Sequence, residues 1–397
     1  MLSFRRYIIL FLITLSSCNS HKEEHDGDIL RIVIPDTKEE ERTQLYASDF
    51  ISDIEYVSLE TQPQCLIGEF YDISISENYI LVYSSTEANC FLFSRNGKFI
   101  RKIGQRGNGP EEYVNGLYLI KIDEKSGVVF LMGVRAIYSY RITGEFIKKL
   151  DLSELYKKVG VRRLFNEMHW KDDLFCASGD EAYSFVIFSL DGEIVKSFPN
   201  YIKKEFNLYS PGDDFYYFTY KERIYIKEIK GDTLFMVNDQ LDFVPELVLD
   251  LYDKGVEPPY YKGLIRSIFI SDKYLFMHGT VFCLFEKDKK KLSIIKHDPS
   301  IIRERTISNE SIKMRFYGLT NDIDGGLAFF PFEYFYKIHN DNQFVRGFQS
   351  YELKKYLTDE YLSTRKVKNP EAHKRLKKLL ADLDEDDNPV IMIATVK

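Results

Sequence analysis

Three stretches of this chain repeat one pattern, and their spacing constrains the fold more than any other feature. "FLFSRNGKFIRKIG" (91–104), "IYSYRITGEFIKKLDL" (137–152) and "FVIFSLDGEIVKSF" (185–198) each read as an alternating strand, a tight turn ending in glycine, and a second strand. Asn-Gly and Asp-Gly suit two-residue hairpin turns because both central residues take positive φ. Weaker copies surround Gly231, Lys289 and Asn342, so the turns fall at 97, 144, 192, 231, 289 and 342, at intervals of 47, 48, 39, 58 and 53 residues. Each interval has room for four short strands, and units of about 40–50 residues repeated in this way are the signature of a β-propeller. Six turns predict six blades.

The clearest unit shows how a blade is laid out. "VNGLYLIKID" is the inner strand, "GVVFLMGV" the second, and "AIYSYRI" with "EFIKKLDL" the outer hairpin. Before it lies "IGQRGNGPEEY" (103–113), with three glycines and a proline in eleven residues. A phosphate loop needs a helix opening with Gly-Lys-Ser/Thr, and a dinucleotide fingerprint needs strand, turn and helix. A β pattern follows instead, so the stretch is the connector from one blade's outer strand to the next blade's inner strand. Glycine and proline permit the sharp turns such a crossing requires.

Composition agrees with a β fold. Tyr (28) and Phe (30) bring the aromatic share to 15%, and rings pack well on pleated, half-buried surfaces. The formal charge of −7, with 29% charged residues of both signs mixed, leaves no dominant basic stripe of the kind nucleic-acid binding requires.

The N-terminus reads as a targeting segment. Arg5 and Arg6 precede the short apolar run "YIILFLITL" and then "LSSC", which looks like a bacterial lipobox with Cys18 as the lipidated residue. Residues 1–17 are therefore expected to be a signal peptide. Residues 18–44 form an acidic, lipid-anchored tether with a lead-in strand, and residues 45–397 the propeller. Several acyl chains, at about 0.8 kcal/mol per buried CH₂, would hold such a protein at a membrane. Cys65, Cys90, Cys176 and Cys283 are widely spaced, without a C-x-x-C pair, and read as buried free thiols.

The connector "GQRGNGPEEY" followed by "AIYSYRITGEF" resembles an NHL-type blade. The pieces "ISDIEYVSLET", "LIGEF", this connector, "NDIDGGLAFFP" and the ending "LLADLDEDDNPVIMIATVK" run in order from about residue 45 onward. Together they resemble the six-bladed β-propeller lipoproteins abundant in Bacteroidota. That family's pattern has a glycine where this chain has Glu111. The resemblance implies an envelope lipoprotein on the outer membrane. The acidic "KEE" after Cys18 resembles surface-export signals and favours display at the cell surface, with the periplasmic face as the alternative. The lone Trp170 argues against WD40 repeats.

Two features depart from the repeat. "PEAHKRLKKLLADLDE" (370–385) places Leu376, Leu379, Leu380 and Leu383 on one side of an amphipathic helix. "NPVIMIATV" then reads as a last strand, and either it or "IEYVSLE" is expected to complete an end blade and so close the ring.

No catalytic constellation, metal site or cofactor motif is legible. The seven histidines are scattered, with no HxH, HExxH or His-Cys cluster, and His169 reads as a core or rim residue. "DIDGG" offers Asp322 and Asp324 at first and third positions of a calcium loop, but Leu327 stands where the glycine is needed, so a turn is expected. The ligand-binding candidates are Arg106, Asn108 and Glu112 on the connector, with Asp322 and Asp324. The leading expectation is a non-catalytic binding or scaffold propeller taking a glycan, a peptide or an envelope protein. The alternative is an envelope hydrolase or lyase with its active site in the axial pocket.

Overall fold

The computed structural model describes residues 29–35, 38, 41–114, 116–133, 135–160, 165–178, 183–199, 215–228, 231–251, 265–279, 281–296, 302–307, 310–315, 318–330, 336–340 and 342–397. Cys18 and the segment read as signal peptide lie outside them.

Six antiparallel sheets stand in a ring. Blade one is Phe70–Ile75, Tyr79–Ser84, Asn89–Ser94 and Phe99–Lys102. Blade two is Leu117–Asp123, Val128–Gly133, Ala136–Arg141 and Phe146–Asp151. Blades three, four and five repeat the order from Phe165 to Pro199, Phe215 to Leu251 and Ile265 to Ile294. Blade six takes Tyr336–Asn340, Gln343–Phe348 and Val390–Val396 from the C-terminal part, and its outer strand, Ile51–Ser58, from the N-terminal part. Both candidate closing strands are thus used, and they pair with each other from Ile51↔Val396 to Ser58↔Val390. A short additional hairpin, Ile302–Ile307 with Glu310–Arg315, follows blade five.

Middle strands read as unbroken apolar runs because both faces of a blade are covered by its neighbours. Ile80, Leu81, Val82, Phe91, Leu92 and Phe93 are all fully buried, whereas the outer strand Phe99–Lys102 has an exposed end. The core is divided among the seams: Leu81, Cys90 and Leu92 of blade one meet Ile120, Ile122 and Val129 of blade two. Cys65, Cys90, Cys176 and Cys283 are buried and free.

The inner strand of blade two has an axial edge that no strand pairs, and side chains from blade one cap it. Asp72 Oδ2 accepts from the Ile120 amide at 2.8 Å, Ser74 Oγ from Ile122 at 3.0 Å, and the Tyr83 hydroxyl oxygen from Leu117 at 3.1 Å. A buried edge left unpaired would cost about a hydrogen bond per group, so the seam is stitched by polar side chains as well as apolar ones.

Two of the six turns counted from sequence hold other places than the pattern implied. Gly231 lies between the second and third strands of blade four, and Asn342 between the first and second strands of blade six. Any tight hairpin carries the same alternation, so the motif marks a hairpin without giving its rank in the blade. The number of blades is six as expected.

Five helices accompany the sheets: α1 (Ala47–Phe50), α2 (Leu152–Val159), α3 (Ser350–Tyr356), α4 (Asp359–Ser363) and α5 (Pro370–Asp382). The last three stand where the other blades have a short turn between second and third strands. In α5, Asn369 caps by accepting from the Ala372 amide at 3.0 Å, and Pro370 sits in the first turn. Ala372 and Leu376 are buried, with Leu379 and Leu380 packed against the same cluster. The helix packs against the outer strand Ile51–Ser58. Upstream, Leu30–Ile34 adds a parallel fifth strand to blade four, Thr43 bridges to Ile295 beside blade five, and Tyr46 bridges to Thr320. The N-terminal segment therefore straps blades four and five, then the stretch before blade six, and enters the sixth. No helix among the described residues is long and apolar enough to cross a membrane.

Candidate binding face

The connector of residues 103–114 is held in place by two tyrosines. Tyr113, fully buried, donates its hydroxyl hydrogen to the Ala88 carbonyl of blade one at 2.8 Å. Tyr140 of blade two donates to the Glu111 carbonyl at 2.5 Å. Within the loop, Gly107 N donates to Tyr113 O and Tyr113 N to Gln105 O, both at 3.1 Å. Gly104 has φ +61°, and a Cβ there would lie 2.7 Å from the Tyr140 ring, so only glycine meets both demands. Glu112 turns inward: its carboxylate accepts from the Gly109 amide at 2.8 Å and from the Gln105 side chain. These bonds hold its carboxyl below the usual carboxylate range. Arg106 and Asn108 are exposed on the loop's surface.

A groove opens beside this connector. Its walls are Val114 of the connector, Gly133, Arg135 and Ala136 at the turn between the second and third strands of blade two, Tyr138 and Lys149 of the outer hairpin, and Asp151 with Ser153 at the start of α2. Its volume is about 240 Å³. Arg135 is exposed, but its carbonyl accepts from the Leu152 amide at 2.9 Å, which fixes the turn against α2. The Lys149 ammonium stands 5.4 Å from the centre of the Tyr138 ring, a cation–π arrangement. Neither cation forms an ion pair among the described residues. Tyr138 is 3% exposed, and its hydroxyl makes no hydrogen bond among them. Asp151 accepts from the Ser153 amide at 2.8 Å as the cap of α2, which holds its carboxyl low and ionised.

Asp322 and Asp324 lie elsewhere, in the stretch before blade six. Both are buried. Asp322 accepts from the Ser48 amide at 2.9 Å and hydroxyl at 2.7 Å, and pairs with Lys368 at 3.1 Å. Asp324 accepts from the Gly326 amide at 2.8 Å and the Asn321 side chain at 2.6 Å, and burial pushes its carboxyl up. The stretch is a turn: the Asp322 carboxylate joins α1 to Lys368 on the approach to α5, and the Asp324 carboxylate holds the turn itself. The five candidates thus fall into two groups that no described contact connects. Among the described residues, no set of three or more His, Cys, Asp or Glu is placed to hold a metal ion.

His169, on the inner strand of blade three, is 7% exposed and stacks on Phe130 of blade two at 4.6 Å. Its Nε2 donates to the Asp172 carbonyl at 2.8 Å, leaving Nδ1 as a lone pair with no partner among the described residues. Burial holds the imidazole below its ordinary pKa, the nearby Lys121 adds to this, and Asp123 opposes it.

Sequence reasoning reached the connector but not Arg135, Tyr138 or Lys149. They come from a turn and two strands, and no residue spacing signals which side chains a twisted blade brings to one groove.

Ring, seams and connector define a six-bladed propeller. The chain belongs to the family described as a domain of unknown function, DUF4934, whose model matches residues 30–395. Its fold is shared by a protein of Bacteroides fragilis described as exported, at 16% identity and TM-score 0.62, covering 93% of this chain and 99% of that one. A member of the DUF4221 family from Bacteroides vulgatus is 13% identical, with TM-score 0.48 and coverage of 90% and 98%. Virginiamycin B lyase from Staphylococcus aureus is 10% identical, with TM-score 0.39 and coverage of 62% and 75%. No curated protein matches the chain.

Proposed function

We propose that this protein is a lipid-anchored, NHL-like propeller of the bacterial cell envelope that binds a ligand on its connector face without transforming it. The observation that carries the binding reading is the groove beside the connector, where Arg135 and Lys149, neither in an ion pair among the described residues, stand around a buried tyrosine with the Asp151 carboxylate on the same wall. Loops and turns on a rigid scaffold commonly carry binding, and the two tyrosine anchors make this connector rigid. Arg106 and Asn108 extend the same loop outward. Glu112, Asp322 and Asp324 have their carboxylates engaged by protein donors, and their part would be to hold the loops. The envelope reading rests on the lipobox at Cys18 and on the exported relative of the same fold. Fold alone does not carry function.

Two measurements test the reading. Cys18→Ser should abolish incorporation of labelled fatty acid, and unchanged acylation would remove the anchor. An array of envelope glycans and peptides should retain the mature wild-type chain. A variant with alanine at Arg106, Asn108, Arg135 and Lys149 should be retained less, with its melting temperature unchanged. Equal retention of both would place binding elsewhere. The enzymatic alternative has one observation in its favour, the neutral His169, whose Nδ1 has no hydrogen-bond partner among the described residues, near Lys121 and Asp123. It predicts turnover of an array ligand that His169→Gln abolishes.

A further inference from the structure

We propose that the groove beside the connector receives a carboxylate carried on a hydroxylated ring, the chemistry of a uronic-acid residue. This deepens the binding reading above and rests on it.

Three features of the groove lead there. The first is charge. Arg135 and Lys149 both lack an ion pair among the described residues and line one concavity, in a chain whose net charge is −7. A guanidinium presents two parallel donors that match a carboxylate, and the ammonium adds a point charge above the Tyr138 ring. The second is the mixture of partners. Asp151 stays ionised through its bond from the Ser153 amide, so the groove opposes a ligand that is anionic throughout. It asks for hydrogen-bond donors a short distance from the anion, and ring hydroxyls supply them. The Tyr138 hydroxyl, on a residue 3% exposed and without a hydrogen bond among the described residues, is both donor and acceptor, which suits another hydroxyl. The third is size. About 240 Å³ is smaller than the roughly 300–1,000 Å³ of sites that enclose drug-sized ligands, so one ring-sized group fits and a longer ligand would continue over the surface. Val114 and Ala136 line the same groove and offer apolar contact to the C–H face of a ring.

The source of the carboxylate is what the experiment separates. The mature full-length chain would be titrated by ligand-observed NMR with methyl glucuronide, with methyl glucoside, which has the ring without the carboxylate, and with N-acetylglutamate, which has carboxylates without the ring. The glucuronide should bind at least tenfold more tightly than either comparator, and its affinity should fall as salt is raised. Arg135→Gln should weaken it at least tenfold and Tyr138→Phe several-fold, with melting temperatures within a degree or two of wild type. Should Tyr138→Phe disturb folding, Arg135→Gln and Lys149→Gln, both at exposed side chains, carry the test, and each should weaken glucuronide binding.

Equal binding of the glucoside would overturn the acidic class, and equal binding of N-acetylglutamate would overturn the ring. Glucuronide binding that survives Arg135→Gln would overturn the site. A chain that is retained on the array but binds none of the three probes loses this assignment and keeps the binding face. A chain that binds neither loses both.

Discussion

Blade two and blade six are built from the same kind of strand but held together in opposite ways. In blade two the four strands follow one another within residues 117–151, and each pairs with its sequence neighbour through a short turn. In blade six the outer strand comes from the other end of the chain: Ser52 donates to the carbonyl of Thr395, 343 positions away. Local pairing has little loop-closure entropy to overcome, whereas the closing blade must hold the two ends of the chain together. It compensates with buried polar anchors. Asn388 sits at the seam, 2% exposed. Its Oδ1 accepts from the Ile67 amide at 2.8 Å, and its Nδ2 donates to the carbonyls of Glu60 at 2.7 Å and Cys65 at 2.8 Å. Ser350 of α3 reaches the Asn388 carbonyl at 2.7 Å. Blade two, whose strands follow one another through short turns, needs no such knot.

The largest effect should follow from taking the closing strand away. Removing residues 388–397 deletes the middle of blade six and leaves the strands Ile51–Ser58 and Gln343–Phe348 with open edges. Cooperative thermal unfolding should disappear and the protein should aggregate. A truncated chain that melts as sharply as wild type would show that closure lies outside this strand.

A finer contrast uses one residue type in one turn type. Gly97 and Gly144 occupy equivalent turns of blades one and two, with φ +85° and +94°. A Cβ on Gly144 would find its nearest neighbour at 3.6 Å, but on Gly97 it would lie 2.1 Å from the carbonyl oxygen of Ser58, on the closing blade's outer strand. Gly144→Ala should cost about 1 kcal/mol for the left-handed backbone alone. Gly97→Ala should cost about 3 kcal/mol or more, since two backbones must separate. Equal costs in chemical denaturation would mean that blade one does not press on the closing strand as described.

The smallest effect concerns pH. The folded protein holds His169 neutral where a free imidazole would already be protonated, so the unfolded chain binds more protons in that window. Its contribution is complete above about pH 6.5 and is lost as pH falls toward the depressed folded value. The change should stay below about 1.4 kcal/mol per pH unit, and His169→Phe should flatten it. Phe130, Lys121, Asp123 and Asp172 surround this ring, and a slope that persists in the variant would show that it arises from groups other than His169. Asp324 near the closing blade runs the other way. Burial raises its carboxyl above the ordinary 3.8, so its cost is absent below that pH and complete once pH exceeds the folded value. Opposite slopes in His169→Phe and Asp324→Asn would separate the two regions.

How much was legible follows from these cases. The connector between blades one and two was readable because glycine and proline advertise a sharp crossing, and the inner and outer strands of blade two were readable from alternation. Blade six was legible in its parts: "IEYVSLE", "NPVIMIATV" and the amphipathic helix each announced their type. Their union was not, nor was the pair of short helices before α5, whose residues show no long apolar period. The candidate carboxylates show the same limit. Glu112, Asp322 and Asp324 were readable as polar residues in turns, but whether a carboxylate faces a ligand or an amide depends on backbone direction a few residues away.

Residue order by itself determined the hairpins, the number of blades, the connectors and the apolar runs of strands covered on both faces. Those depend on interactions between residues a few positions apart, which the chain spells out directly. Tertiary structure alone decided that Gly97 abuts Ser58 while Gly144 stands free, that Asn388 ties the ends of the ring, and that Arg135, Tyr138 and Lys149 share a groove. Each of these depends on where a twisted sheet places side chains in space, and close approach between distant segments leaves no period in the sequence to read.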